Sequence, residues 1–398
     1  MPGLASRLPA AVALLACLLG LVFAYNSTAD YASHLDRQLH DMHCSFIPGS
    51  GTTSEAEACR AAMYSPYSAL LKEEYWGGIP ISLFALGAFT FFAGFACYLL
   101  ILGGRASRGA LAFFATVSSS PLLVSAGMFV ISVTQLGTIC KTCAGIYTAS
   151  LLLAIGGVWT YLAGRRHSDQ DGGGALLPLV WLACLAVVTL IPAVAYAASM
   201  PDHTKHLADC GTLAQPIEKH DALVKMRTQL SRQPATLFED PLCPTCKAFH
   251  ERLVAEGIFD KLDVQLALFP LDNSCNWMLD RPLHPGACTV SKAVLCAGPE
   301  ARRVMEWAYE EQAYLLRAGK AGEPTLREVI RQRWGHDMLA CIDKNETTVR
   351  LNNHLHFAAE NSVPVSTPQV YLGKRRICDE DTDIGLRFTL KKLAPELL

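Results

Sequence analysis

Five stretches of this chain stay apolar for as long as a membrane is thick. They run roughly Leu8–Tyr25, Gly78–Leu102, Leu111–Leu136, Ala144–Ala163 and Ala175–Ala198. Each approaches the ~20 residues that a helix needs to cross the hydrocarbon core. No apolar run beyond Met200 is long enough. Composition agrees: of 398 residues, 51% are apolar and only 18% charged, too greasy for an ordinary soluble chain. There is no basic run and no basic face with interleaved aromatics, so nothing suggests nucleic acid.

Arginine placement orients the spans. Arg7 precedes the first, Arg105 and Arg108 sit in the connection after the second, and Arg165 and Arg166 in the connection after the fourth. All three places fall on one side, so the positive-inside rule puts that side in the cytoplasm. The loop 26–77, the junction between the third and fourth spans and everything after Met200 then face outward. In a bacterial cell that is the periplasm or exterior, where disulfides persist. The alternative for the first span is a cleaved signal peptide, since Arg7, an apolar stretch and Val22-Phe23-Ala24 have that order.

Fifteen cysteines take their meaning from this topology. Cys140 and Cys143 stand two residues apart where one uncharged apolar run ends and the next begins. A dithiol there can pass electrons to an acceptor dissolved in lipid; a structural bridge is the alternative. Tyr147 follows Cys143 by one helical turn and shares its face. Its phenol could bond a quinone carbonyl, or it is an interfacial aromatic. Cys44 and Cys59 lie in the outer loop around the turn-rich Pro48-Gly49-Ser50-Gly51, and form either a structural staple or a redox pair. Cys17, Cys97 and Cys184 fall within spans and read as small packing residues.

The stretch from Asp202 to about Arg232 reads as a polar linker, its tether of about a dozen residues reaching up to ~40 Å. A strand at Pro234–Glu239 precedes Cys243-Pro244-Thr245-Cys246, which opens a helix to about Glu256. At a helix N-terminus unpaired N–H groups favour a thiolate on Cys243, and Pro244 suits the first turn. Cys246 then resolves mixed disulfides. A zinc site with His203, His206 and Cys210 is the competing reading. A strand at Asp263–Pro270, helices from about Val290 to Glu360, Thr367-Pro368 before strands Gln369–Leu372 and Arg375–Ile377, and a last helix capped by Asp381 or Asp383 complete a thioredoxin-like order. Cys210, Cys275, Cys288, Cys296, Cys341 and Cys378 allow up to three disulfides, with Cys275–Cys288 a closed loop.

The first four spans resemble the vitamin K epoxide reductase family. The resemblance rests on Cys44 and Cys59, on Tyr64-Ser65-Pro66-Tyr67-Ser68 before Gly78-Ile79-Pro80-Ile81-Ser82, on Cys140-x-x-Cys143, and on Tyr147. The fourteen residues between Cys44 and Cys59 are more than that family's loop spacing. The outer part resembles the thioredoxin/DsbA group through Cys243-Pro244-Thr245-Cys246 and Thr367-Pro368. The chain thus resembles a bacterial fusion of the two.

The resemblance implies a membrane all-α bundle, four catalytic helices plus a fifth linking span, followed by an α/β thioredoxin-like domain with a helical insertion. It places the domains at 1–165, 166–200 and 201–398. It implies a protein dithiol:quinone oxidoreductase using ubiquinone or menaquinone. Exported reduced proteins would be its substrates and lipid its surroundings, in the bacterial cytoplasmic membrane, with no resident metal. Electrons would run from Cys243–Cys246 to Cys44–Cys59 to Cys140–Cys143, with Cys143 and Tyr147 bordering the quinone and Pro368 a cis-proline beside the outer dithiol. Cys44 would serve the membrane pair and Cys59 would meet Cys243. Three other readings stand beside it. One is a carrier of reducing equivalents without quinone, for which the cytoplasmic loops offer no cysteine pair. The others are a reductase acting mainly on the small molecule and a stapled binding module without turnover.

Overall fold

A computed structural model describes residues 7–37, 53–137, 139–165, 176–207, 210–226 and 233–398, without the side chains of 53–57 and 60. The chain divides into two compact units, Met1–Pro201 and Asp202–Leu398.

The first unit is helical. Helices α1 (Leu8–Ala32), α2 (Thr53–Tyr64), α3 (Ile81–Leu102), α4 (Arg108–Val117), α5 (Ser120–Thr134), α6 (Lys141–Gly164) and α7 (Leu176–Ser199) follow in order, with a small antiparallel pair β1 (Ala69–Leu70) and β2 (Ile79–Pro80) before α3. Five segments are long and apolar enough to cross a membrane. Helix α1 packs on α3 and α6, α4 on α6, and α7 on α3. Small residues let these helices approach: a Cβ on Gly145 would meet the Phe23 ring at 2.5 Å, and one on Gly20 the Phe89 ring at 2.6 Å. Ala13, Cys17 and Ala24 of α1 are wholly buried, so the first segment is built into the bundle core rather than appended to it.

Three departures from expectation lie here. Helix α1 runs seven residues past Tyr25, to Ala32, carrying the polar Ser27, Thr28 and Asp30. The third span breaks between α4 and α5. Pro121 cannot supply the N–H that would continue the ladder, and the hydroxyls of Ser119 and Ser120 donate to the carbonyls of Ala115 (3.2 Å) and Val117 (2.8 Å). Cys97 and Cys184 are exposed on the helix surfaces, so only Cys17 is a buried packing residue.

The second unit is a five-stranded sheet of order β3-β5-β4-β6-β7: β3 (Val224–Lys225), β4 (Gln233–Glu239), β5 (Leu262–Leu268), β6 (Gln369–Leu372) and β7 (Arg375–Ile377). Strands β4 and β5 are parallel, joined through α8 (Pro244–Ala255); the other pairings are antiparallel. Between β5 and β6 come α9 (Ala287–Cys296), α10 (Ala301–Glu310), α11 (Gln312–Ala321), α12 (Glu323–Trp334), α13 (His336–Ile342) and α14 (Asn345–Glu360); α15 (Leu386–Leu393) follows β7. This is the thioredoxin-like order with a helical insertion. Both sheet faces are buried by the two-residue alternation of strands. Ala235, Leu237, Val264, Leu266 and Leu268 enter one core, while Phe238 and Ala267 enter the other, where Phe357 of α14 stacks on Phe238 at 5.7 Å.

Disulfides join Cys210–Cys378, Cys275–Cys288 and Cys296–Cys341. The first corrects the linker expectation. With Cys210 bonded, Leu213 and Leu223 buried in a core, and Val224–Lys225 serving as the edge strand, the stretch after Asp202 belongs to the folded unit. It is polar because it covers a sheet edge. The same disulfide occupies the sulfur that the His203, His206 and Cys210 zinc reading needs. The last helix is capped at Gly385 rather than at Asp381 or Asp383; Asp383 Oδ1 still accepts a long 3.4 Å bond from Gly385 N–H.

Candidate active site

In the first unit, the extended backbone of Cys140 ends at the start of α6, making Cys140 the N-cap and putting Cys143 in the first turn. The loop before it is pinned by Gly137 in the left-handed region (φ 63°), a conformation glycine adopts without strain. Helix α2 brings Cys59 to the same place. Cys59 is disulfide-bonded, and its Sγ lies 3.1 Å from the free thiol of Cys140. That separation is within reach for thiol–disulfide exchange. The Thr142 hydroxyl sits 2.9 Å from Cys140 Sγ. Cys44 lies outside the described residues, but the seat beside Cys140 is taken by Cys59. The sulfur beside the membrane pair is thus that of Cys59, the loop cysteine expected to meet Cys243; spacing alone carries no information on which loop cysteine the intervening helix delivers.

Cys59, Cys140, Cys143 and Tyr147 all line one cavity of about 320 Å³ whose mostly apolar walls come from α2, α3, α5 and α6, with Ser27, Asp30 and Tyr31 of α1 at its edge. Tyr147 stands one turn past Cys143, its hydroxyl 3.4 Å from Ser132 Oγ and its ring edge-on to Phe129 at 6.1 Å. The stretch between α2 and α3 closes the polar end. Lys72 is buried and donates to Ser65 O and Ser68 Oγ, Tyr31 donates to Gly77 O, and Trp76 is buried. The volume, the apolar walls and a convergent thiol pair and phenol fit a quinone ring.

In the second unit, Cys243 caps α8 in an extended conformation and Pro244 takes the first helical position. The Thr367–Pro368 peptide bond is cis, and Thr367 O lies 3.5 Å from Cys243 Sγ. A hydrogen bond from Cys246 draws the Cys243 thiol down to about 6, against burial and the Asp240 charge. Burial, together with Cys243, pushes the Cys246 thiol well up. The two sulfurs thus differ in the direction that the helix position predicts, and Cys243 is 4% exposed.

Sequence reasoning missed the acids around this dithiol, although Glu239-Asp240, two residues before Cys243-Pro244-Thr245-Cys246, was a visible sign. Glu239 is fully buried at the end of β4, accepts from Tyr309 Oη at 3.1 Å, and leaves Oε1 without a hydrogen-bond partner among the described residues. Burial raises its carboxyl to about 8, so it holds a proton beside the dithiol at neutral pH. The folded state then keeps a proton that the unfolded chain releases from about 4.5 upward, and stability falls as pH rises through that window to about 8. Glu239→Gln should remove this slope. Thermal midpoints of the full-length protein should favour the variant in alkali and converge with wild type in acid; a constant offset across the range sinks the assignment.

The helical unit, with its dithiol at a membrane edge, and the thioredoxin-like unit with a second dithiol define a membrane thiol oxidoreductase. Residues 11–156 match the model of the vitamin K epoxide reductase family, so the resemblance carried by the cysteine pattern holds for the helical unit. No curated protein matches the chain. Among solved structures, a thioredoxin-like oxidoreductase from Silicibacter pomeroyi DSS-3 is similar over 45% of this chain and 96% of its own, at 13% identity and a TM-score of 0.30. ScsC of Proteus mirabilis, in a transitional conformation, is similar over 53% of this chain and 96% of its own, at 17% identity and a TM-score of 0.27. The fold assignment of the second unit rests on its own strand order and its Cys-x-x-Cys-led helix.

Proposed function

We propose that the chain is a quinone-dependent thiol oxidase that generates disulfides in exported proteins. Electrons pass from a reduced exported protein to Cys243–Cys246, then to Cys44–Cys59, then to Cys140–Cys143, and last to ubiquinone or menaquinone. Each protein step is thiolate attack on a disulfide sulfur, forming one S–S bond and releasing one thiolate.

The observation that carries this reading is the 3.1 Å approach of Cys59 Sγ to Cys140 Sγ at the wall of an apolar cavity shared with Cys143 and Tyr147. A sulfur-to-sulfur approach of this kind serves exchange, whereas a structural staple needs no third cysteine beside it. Quinone, when bound, supplies the two-electron sink. The Tyr147 hydroxyl, tied to Ser132, would hold a carbonyl oxygen, and the apolar walls would exclude water. The test is purified protein supplied with a reduced unfolded polypeptide and a quinone. Two thiols should be lost for each quinone reduced; thiol loss without quinone reduction sinks the quinone assignment.

The reading also requires the second unit to face the oxidising side of a bacterial cytoplasmic membrane. Arg7, Arg105, Arg108, Arg165 and Arg166 support that orientation. A reporter active only in the cytosol, fused after Leu398, should be silent. Activity there would put the outer dithiol in a reducing compartment and remove the oxidase role.

A further inference from the structure

Asp240 is 0% exposed and lies three residues before Cys243. Its Oδ1 accepts from Leu242 N–H at 2.7 Å; its Oδ2 accepts from Leu271 N–H at 2.8 Å and from His284 Nδ1 at 2.7 Å. Its backbone carbonyl takes the N–H of Cys243 itself at 3.0 Å. One residue thus ties the turn of the nucleophile to the segment 271–286. That segment is closed by Cys275–Cys288 and pinned again where Leu283 and His284 both donate to Leu271 O and Gly286 N–H donates to Asp272 Oδ2.

A buried carboxylate at this position works against the thiolate next to it, because two like charges in a low-dielectric site destabilise each other. Two amide donors orient the carboxylate but carry no net charge. His284 does. Its side chain is 16% exposed, and with a proton on both ring nitrogens it pairs as a cation with Asp240. Asp240, Cys243 and Asp272 are the titratable groups that face it. Burial works against its charge, but the Asp240 hydrogen bond and the surrounding anions outweigh that, and its pKa is raised.

We propose that His284 is a positioning residue for Cys243: held on Asp240 as imidazolium, it cancels the buried carboxylate and keeps Cys243 a thiolate ready for exchange. The exchange step is unchanged. Cys243 sulfur still forms one S–S bond, the displaced sulfur leaves with the electron pair, and the proton stays on His284. The inference rests on Cys243 being the attacking thiol, as proposed above.

The experiment is pulsed iodoacetamide labelling of the reduced full-length protein across a pH series, with the Cys243 peptide quantified by mass spectrometry. His284→Gln keeps a donor for Asp240 and loses the charge. It should move the labelling midpoint of Cys243 up by about one pH unit, a roughly tenfold slower reaction on the acid side with the alkaline plateau intact. His284→Lys restores the charge and should bring the midpoint back toward wild type. An unmoved midpoint in His284→Gln, an equal slowing at every pH, or the same shift in Gln and Lys variants overturns the proposal. Preferential labelling of Cys246 in wild type would instead overturn Cys243 as the attacker. No quinone enters the measurement, so its outcome is independent of the quinone assignment.

Discussion

The Cys143→Ala protein should reduce no quinone above background while its outer dithiol still exchanges normally with a small dithiol reagent. The expectation follows from how the two membrane cysteines divide their surroundings. Cys140 has the loop cysteine Cys59 at 3.1 Å and the Thr142 hydroxyl at 2.9 Å. Its partners are on the donor side. All three sulfurs line the cavity, but Cys143, in the first turn of α6, is the one that shares a helix face with Tyr147. If Cys140 receives electrons from the loop, Cys143 must be the sulfur that Cys140 resolves onto and the one nearest the acceptor. Without Cys143, the Cys140 thiolate can still attack Cys59 in the loop disulfide and release the Cys44 thiolate, but there is no Cys143 thiol to resolve the Cys59–Cys140 bond that forms. Two observables should therefore change together: quinone reduction disappears, and a Cys59–Cys140 crosslinked peptide accumulates in non-reducing digests. A normal rate of quinone reduction would make the membrane dithiol structural and end the relay as proposed.

Much of this could be read before any coordinates, and the reasons are physical. Membrane helices announce themselves because lipid forbids unsatisfied backbone, so apolar length alone locates them. The strand–Cys-x-x-Cys–helix order of the outer unit is local, and β6 and β7 fall where the Thr367-Pro368 pattern puts them. What escaped depends on residues distant in sequence or on polarity that misleads. Pro121 and its neighbouring serines sit in a run apolar enough to look continuous, yet they break the third span into α4 and α5. Asp202 to Arg232 is polar enough to look like a tether, yet Cys210, Leu213 and Val224 fasten it to the sheet. Helix α2 is only weakly amphipathic, and nothing in its sequence says that it carries Cys59 onto Cys140. Asp240 and His284 are 44 residues apart and meet only because the Cys275–Cys288 loop folds back over the dithiol's turn.

The seat of Cys59 also fixes what the outer dithiol should capture. In a Cys-x-x-Cys led by a helix N-terminus, the first sulfur attacks and the second resolves. Here Cys243 is the low-pKa sulfur, drawn to about 6 by Cys246 and opposed by burial. Removing Cys246 takes away the resolving thiol, so a mixed disulfide on Cys243 should persist instead of vanishing. Cys246→Ala also removes the hydrogen bond that most favours the Cys243 thiolate, so trapping should be slower, yet once formed the bond has no internal route to break. With Cys59 committed to Cys140, the remaining loop cysteine, Cys44, is the expected partner. The test is to express the Cys246→Ala protein, block free thiols, digest without reductant and map the crosslinks. A Cys243–Cys44 peptide supports the order Cys243, Cys44, Cys59, Cys140, Cys143. A Cys243–Cys59 peptide would mean that Cys59 leaves its place beside Cys140 to collect electrons, making the loop a swinging carrier rather than a fixed bridge. Finding Cys44 and Cys59 bonded only to each other in every preparation, even under a load of reduced substrate, would return that pair to a structural staple and cut the outer dithiol off from the membrane.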